Sequence, residues 1–132
     1  ERRPVAWCPA YGCAVAGDGT LLYRIARREP SWPSLSGLAV SGGALGGGPD
    51  VADALKGDGF ARDLAGVDGA AWRRAGSTAW IMETGNKRVT VTSPVREVEF
   101  KRLMRFQRDF PDAWARARTL DMRFADRVVV KR

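Results

Sequence analysis

The two cysteines, Cys8 and Cys13, are the side chains of this sequence with the widest range of chemistry. They flank a turn-like segment, 9–12, between two strand-like runs. A disulfide between them would close the predicted hairpin and stabilise it by roughly 2 kcal/mol. As reduced thiols they would be two small hydrophobic side chains, and the sequence leaves both alternatives open. Two thiols without histidine cannot supply the four ligands of a structural zinc site, so we expect no metal.

The residue groupings that enzymes use for catalysis are also missing from the sequence. There is no histidine, which removes the commonest general base and the Ser–His triads, and no Ser-x-x-Lys motif occurs. Asp109, Asp112 and Asp121 are close only in sequence, where helix and strand ends explain them. We therefore expect no catalytic activity, no cofactor and no small-molecule substrate.

The glycine-rich stretch 41–48 has the composition of a phosphate-binding loop but not its sequence. A P-loop requires a Lys-Ser/Thr pair after the glycines, and Pro49 and Asp50 follow here instead. Glycine-rich segments of this kind are flexible. The sequence therefore predicts a flexible loop at 41–49.

Basic residues outnumber acidic ones by 22 to 15, a formal charge of +7. This surplus favours acidic partners, anionic lipid headgroups or nucleic acid without choosing among them. Arg102, Arg105 and Arg108 share one predicted helix, which makes a basic nucleic-acid-binding module the alternative function. Such modules have a basic helix after a tight turn, or aromatic residues alternating with basic ones on a sheet. Neither pattern occurs, so we expect no nucleic-acid partner.

A hairpin at 80–92, with a Gly-Asn turn at 85–86, is the clearest predicted element. It contains an opposite-charge pair across the strands, which agrees with the turn type. The predicted cross-strand pairs are Trp80–Val91, Met82–Val89, Thr84–Lys87 and Glu83–Arg88. Short strands at 4–7, 13–16 and 21–25 precede it, with an irregular stretch at 30–38.

Two helical regions are predicted. Asp50 is placed to cap a first helix, which Gly57 and Gly59 should break. Ser93 and Pro94 have the residue types of an N-cap and a first helical position, so a second helix should begin there. Pro111 should kink or restart that helix.

The C-terminal residues predict two strands. Leu120, Met122 and Phe124 alternate with polar residues, a pattern typical of a half-buried strand. A turn at 125–126 leads to a last strand over 127–131, which we expect at a sheet edge. Exposed edges pair with other strands unless something covers them, so this edge raises the question of a partner.

Three stretches, taken in order, resemble the FtsQ/DivIB family of bacterial cell-division proteins. The first begins with ERRPVAW at 1–7 and continues through AVAGDGTLLY at 14–23 and PSLSG at 33–37. It is similar to the family's junction between a POTRA domain and a β domain. The second joins the 80–91 hairpin to FKRLMRFQRDFP at 100–111, similar to a Trp-led hairpin and a Lys-Arg-Leu-x-Arg-Phe helix.

The third stretch, LDMRF at 120–124 followed by the valines 128–130, resembles the family's Val-Asp-Leu-Arg-Tyr strand and the strand after it. The order and spacing of the three stretches carry the resemblance, while 41–48 and 56–78 match nothing in it. The resemblance implies a non-catalytic divisome scaffold for septum formation. It also implies a single-pass bacterial inner-membrane protein, with a transmembrane helix and a POTRA domain before an extracytoplasmic β domain.

The partners that the resemblance implies are FtsB-like and FtsL-like bitopic coiled-coil proteins, the former adding a strand to the C-terminal edge. Arg123 would pair with a partner carboxylate and Phe124 would be an apolar anchor. The alternative, that Phe124 and two of the valines belong to the core, stays open. The residues assigned to partner binding are Arg123, Phe124, Arg127, Val128, Val129 and Val130.

The predicted fold is therefore α+β, with a mostly antiparallel curved sheet, helices packed on one face and an open C-terminal edge strand. We predict one β domain over 1–132, in which residues 1–7 form the strand that joins it to a POTRA domain.

Overall fold

A computed structural model describes residues 2–26, 29–46, 48–64, 67 and 69–131; Glu1 and Arg132, the ends of the predicted domain, lie outside them. The described part contains three helices and eleven strands. In chain order the elements are β1 (Pro4–Cys8), β2 (Cys13–Ala16), β3 (Leu21–Arg24), β4 (Ser34–Ser36), β5 (Val40–Ser41), β6 (Ala44–Leu45), α1 (Pro49–Ala61), β7 (Ala71–Arg74), β8 (Ala79–Thr84), β9 (Lys87–Thr92), α2 (Glu97–Asp109), α3 (Pro111–Arg116), β10 (Thr119–Asp121) and β11 (Val129–Lys131).

Nine of these strands form one mixed sheet in the order β11-β10-β9-β8-β7-β4-β1-β2-β3, and β5 and β6 form a small second sheet. The pairs β1–β4, β4–β7 and β9–β10 are parallel, and the other neighbours are antiparallel. The prediction of an α+β fold with a mostly antiparallel sheet is confirmed. The C-terminal strand β11 lies at one edge of the sheet, as expected.

The β8–β9 hairpin forms in the predicted register, with Trp80 opposite Val91 and Glu83 opposite Arg88. Gly85 has φ +57°, the conformation that the first position of a type II′ turn requires. The Glu83 carboxylate lies 3.8 Å from Arg88 and 3.6 Å from Arg73 on the next strand. The turn residues and the strand pattern therefore determine this hairpin together.

Two segments predicted to be irregular contain strands. Residues 34–36 form β4, which pairs in parallel with β1 and β7 in the middle of the sheet, and Leu35 is fully buried there. The predicted flexible loop 41–49 contains most of the β5–β6 hairpin, with Gly42 and Gly43 at its turn. Leu45 is also fully buried, and its N–H donates to the Gly19 carbonyl at 2.7 Å. A buried leucine and a backbone bond hold this segment against the sheet, which composition alone did not indicate.

The first helix is continuous, so the prediction that glycines break it is wrong. Gly57 and Gly59 both lie inside α1. The N-cap is Gly48, and no side chain caps the helix, so the predicted role of Asp50 is also wrong. Asp50 instead lies 3.8 Å from the Arg74 guanidinium.

Gly57 is required where α1 crosses the core. A Cβ at this position would lie 2.7 Å from Cη2 of Trp72, a fully buried ring, and 3.1 Å from Cγ1 of Val95. At Gly59, two residues further along, a Cβ would have no neighbour within 4 Å. The glycine at 57 therefore sets how closely the helix approaches Trp72.

We expect Gly57→Ala to lower the free energy of unfolding by about 1–3 kcal/mol, because overlap with Trp72 outweighs the better helix propensity of alanine. The matched variant Gly59→Ala should raise the free energy of unfolding by about 0.5–1 kcal/mol. Urea unfolding followed by circular dichroism measures both. If both substitutions changed the free energy of unfolding equally, the close approach of α1 to Trp72 would not contribute to stability.

The second helical region begins later than predicted and is divided in two. Ser93 precedes a cis peptide bond to Pro94, and its hydroxyl donates to Asp53 instead of capping α2, whose N-cap is Arg96. Pro111 begins α3, so the predicted restart is confirmed. Among the described residues, no helix combines the length and the apolar composition needed to cross a bilayer.

Lys87, the first residue of β9, holds α3 in place. Its ammonium is almost buried, donates to the carbonyls of Trp114 and Ala117, and lies 5.0 Å from the centre of the Trp114 ring. Burial lowers the pKa of Lys87, and the nearby Arg118 lowers it further. A cation at the carboxyl end of a helix satisfies its last carbonyls. The contacts of Lys87 hold the chain in place between the end of α3 and the start of β10.

Candidate partner-binding edge

Within the part of the chain that the structure describes, the backbone of β11 is paired on one side only. The Arg88 N–H donates to the Arg118 carbonyl and the Met122 N–H donates to the Thr90 carbonyl, so the carbonyl of Arg118, the backbone groups of Leu120 and the N–H of Met122 face β9. The backbone groups of residues 119 and 121 face β11, and the Arg118 N–H donates to the Lys131 carbonyl at 2.8 Å on the same side.

Thr119 and Asp121 are the residues that face β11, opposite Lys131 and Val129. Val130 lies between these two pairs, opposite Leu120. Backbone groups alternate in direction along an antiparallel strand, so the N–H and C=O of Val130 point away from the sheet. This residue offers both a donor and an acceptor to an added strand.

The three valines at 128–130 differ in how deeply they are buried. Val128 and Val130 are half-buried and pack against the core, while Val129 is 36% exposed. Val128 and Val130 are therefore the two valines to which the alternative of a core position applies. The backbone groups of these two residues can still pair with an added strand. Side chains project above and below a sheet, whereas backbone N–H and C=O groups lie in its plane.

Phe124 lies in the connection between β10 and β11 and is 41% exposed, so it is not a core residue. The Arg127 guanidinium carbon is 5.5 Å from the centre of its ring. From α2, the Arg102 guanidinium donates to the Phe124 carbonyl at 2.7 Å and to the Met122 carbonyl at 3.3 Å. The connection is thus held against α2 with an aromatic ring left accessible beside the edge strand.

Arg123 is already engaged within the chain. Its Nε and NH2 groups donate to the two carboxylate oxygens of Asp121, at 2.9 and 2.6 Å. These hydrogen bonds hold the pKa of Asp121 below its usual value. Two of the five guanidinium N–H groups are used in this pair. A partner carboxylate at Arg123 would therefore share the guanidinium with Asp121.

A groove of about 280 Å³ lies between α2 and the connection that leads into β11. Phe110 is 59% exposed, and its ring centre lies 5.8 Å from that of Phe106. Arg127 and Val128 of the groove lining were assigned to partner binding from the sequence, whereas the residues on the α2 side were not. The sequence signal for that side was the i, i+3 spacing of Arg102 and Arg105 and the i, i+4 spacing of Phe106 and Phe110. The groove is lined by Arg102, Arg105, Phe106, Asp109, Phe110, Asp126, Arg127 and Val128.

The arginines of the described chain are dispersed over many elements. A nucleic-acid-binding surface requires basic residues clustered on one face or along one stripe. Here exposed arginines occur on the strands β3, β7 and β9, on the helices α2 and α3, and in the connections between elements. They are Arg2, Arg3, Arg24, Arg62, Arg73, Arg88, Arg96, Arg105, Arg108, Arg116, Arg118, Arg123 and Arg127.

The two cysteines lie far along the strand order from β11. Both are free thiols, and they face each other across the β1–β2 pair. Within the described residues, no group of three or more histidine, cysteine, aspartate or glutamate side chains is arranged to hold a metal ion. No known family model matches the chain, and none of the curated proteins is significantly similar to it.

Proposed function

We propose that this chain is the partner-binding β domain of an FtsQ/DivIB-type cell-division protein. In this proposal it is a non-catalytic platform that recruits FtsB-like and FtsL-like proteins during septum formation. The observation that carries the proposal is the edge of β11, which no other described strand covers, with the Val130 backbone directed outward and Phe124 exposed beside it. The family named in this proposal comes from the order of the three sequence stretches that resemble it.

The partner would bind by adding a strand antiparallel or parallel to β11. Main-chain hydrogen bonds to Val130 would supply affinity, and side chains at alternate partner positions would supply specificity. An apolar partner side chain would contact Phe124 and Phe110, since both rings are exposed on this side. Acidic partner residues suit the groove, because its charged lining contains three arginines and two aspartates.

The proposal also covers the shape of the sheet and the cellular location of the domain. We infer a curved sheet with the helices on one face. The position of the helices is supported by α1 and α2, which both contact Trp72, through Asp58 and Phe100. In this proposal the domain lies outside the cytoplasm, attached to the inner membrane by a helix earlier in the protein, as the family resemblance implies.

Calorimetry at physiological salt tests the proposal, with the extracytoplasmic segment of the FtsB-like protein from the same organism as the titrant. We expect micromolar or tighter binding. Phe124→Ala should weaken it by roughly 10- to 100-fold, as for a truncated aromatic anchor. The matched control is Tyr23→Ala, because Tyr23 is 50% exposed on β3, the opposite edge of the sheet.

Binding that is equally affected by both substitutions would contradict the assignment of the site. Absence of binding to the division-protein segment, together with salt-sensitive binding to random-sequence DNA, would contradict the proposed function and favour the nucleic-acid-binding alternative.

A further inference from the structure

Cys8 and Cys13 have the backbone geometry of a disulfide pair. Cys8 ends β1, Cys13 begins β2, and the two are directly opposite each other in the antiparallel register. Opposed residues of such a pair have Cα atoms about 4.5–5.5 Å apart, within the range of roughly 4.4–6.8 Å found for disulfides. Their side chains lie on the same face of the sheet. A bond between the sulfurs therefore needs only a small closing of the hairpin end.

The surroundings of the two thiols differ. Cys8 is 1% exposed within the core, and burial raises the pKa of its thiol. Cys13 is partly exposed, and its thiol donates to the Tyr11 carbonyl at 3.3 Å. Tyr11 itself is 41% exposed at the tip of the turn. An oxidant can therefore reach Cys13 directly, whereas Cys8 is shielded from it.

The turn between the cysteines is also open on one side. A cleft of about 390 Å³ lies beside it, lined by Trp7, Pro9, Gly12, Arg24, Ile25 and Ala26. The turn is closed by two backbone bonds, from Tyr11 N–H to the Cys8 carbonyl at 3.3 Å and from Gly12 N–H to the Pro9 carbonyl at 3.2 Å. The cleft lies beside the end of the hairpin, and neither cysteine is among the residues that line it.

We propose that Cys8 and Cys13 are a reversible modification site, at which a disulfide closes the β1–β2 hairpin. The oxidant is a disulfide compound, either a small molecule such as oxidised glutathione or an oxidoreductase in its disulfide form. The Cys13 thiolate attacks the oxidant disulfide, which forms a mixed disulfide and releases one thiolate.

Cys8 then loses its proton to solvent and attacks the Cys13 sulfur, which releases the second thiolate of the oxidant. Two cysteine thiols are oxidised to one disulfide, and one disulfide of the oxidant is reduced to two thiols. The site is independent of the proposed function, because β1 and β2 are separated from β11 by five strands of the sheet, β4, β7, β8, β9 and β10.

Peptide mapping of the whole chain detects the bond. The protein is incubated with oxidised glutathione, its remaining thiols are alkylated, and it is cleaved with chymotrypsin, which cuts after Tyr11 between the two cysteines. We expect one linked pair of peptides whose combined mass is lower by two hydrogens, and we expect dithiothreitol to reverse it. Two separately alkylated or glutathionylated cysteines, or peptides linked only between different molecules, would overturn the proposal.

A melting experiment gives a second, independent measurement. Closing a short loop should raise the Tm of the oxidised protein above that of the reduced protein by about 5–10 °C. In Cys13→Ala the Tm should not respond to glutathione. An oxidised wild-type protein that melts at or below the temperature of the reduced form would contradict a bond compatible with the hairpin.

Discussion

Val130→Pro is expected to abolish most partner binding while the domain stays folded. Proline has no N–H, and its ring occupies the space that an added strand needs. The outward donor of β11 is lost, and the partner carbonyl that it served remains without a hydrogen bond. These costs add to about 2–4 kcal/mol, or roughly 30- to 1000-fold in Kd.

The fold should tolerate this substitution because of the direction of the Val130 backbone. Val130 lies opposite Leu120 without hydrogen bonds between them, and the hydrogen-bonded pairs that join β11 to β10 are those of Val129 and Lys131, on either side of it. Proline at an edge position that faces away from the sheet removes no bond within the sheet. The residue before a proline favours an extended conformation, which Val129 already has as a strand residue.

The matched control is Val130→Thr, which alters the half-buried side chain but keeps the backbone N–H. Calorimetry against the FtsB-like segment should give a Kd within about 5-fold of the wild type for this variant. Circular dichroism and urea unfolding show whether both variants are folded. Equal binding by the proline and threonine variants would eliminate strand addition at β11 as the binding mode.

The sequence was informative where local patterns and tertiary structure agree. The β8–β9 register follows from the Gly85-Asn86 turn and the alternation of apolar residues, both of which are local signals. The edge position of β11 is also confirmed. β11 pairs with β10, the strand that precedes it in the chain. Among the described residues, no other strand lies beside it.

The central strand β4 could not be predicted in this way. It has only three residues between Pro33 and Gly37, and it pairs in parallel with β1 and β7, which are distant in sequence. The continuity of α1 was missed for a related reason. Gly57 is unfavourable for an isolated helix, and its advantage appears only when the helix packs against Trp72.

The candidate site was predicted in part. The alternation of Leu120, Met122 and Phe124 left open whether Phe124 is a partner anchor or a core residue. In the structure β10 ends at Asp121, and the ring of Phe124 is exposed. The intrachain pair between Arg123 and Asp121 was not predicted, although a two-residue spacing leaves both side chains on one side of an extended segment. The groove formed with Phe110 depends on how α2 packs beside β11, which no local pattern specifies.

Asp53→Ala should have the largest effect on stability. One carboxylate oxygen of Asp53 accepts from Trp80 Nε1 at 2.9 Å and from the Ser93 hydroxyl at 2.8 Å, and the other accepts from the Val95 N–H at 2.9 Å. A single side chain of α1 thus bonds to β8 and to the connection between β9 and α2. Its loss would leave the indole N–H of Trp80, a fully buried residue, without its acceptor.

Hydrogen bonds to charged groups contribute about 1.5–3 kcal/mol each, and shared acceptors are not additive. We therefore expect Asp53→Ala to lower the free energy of unfolding by about 3–5 kcal/mol, a large part of the stability of a typical domain. Asp53→Asn retains one acceptor oxygen, so it should cost less, about 1–3 kcal/mol.

Asp50→Ala is the matched control, because Asp50 lies one turn earlier on α1 and makes a single long contact, 3.8 Å, with Arg74. This contact is partly exposed to solvent, so its loss should cost less than about 1 kcal/mol. Urea unfolding of the three variants gives the comparison directly. If Asp53→Ala were as stable as Asp50→Ala, the three hydrogen bonds at Asp53 would not be what joins α1 to the sheet. The contacts of Gly57 and Asp58 with Trp72 would then have to hold the helix.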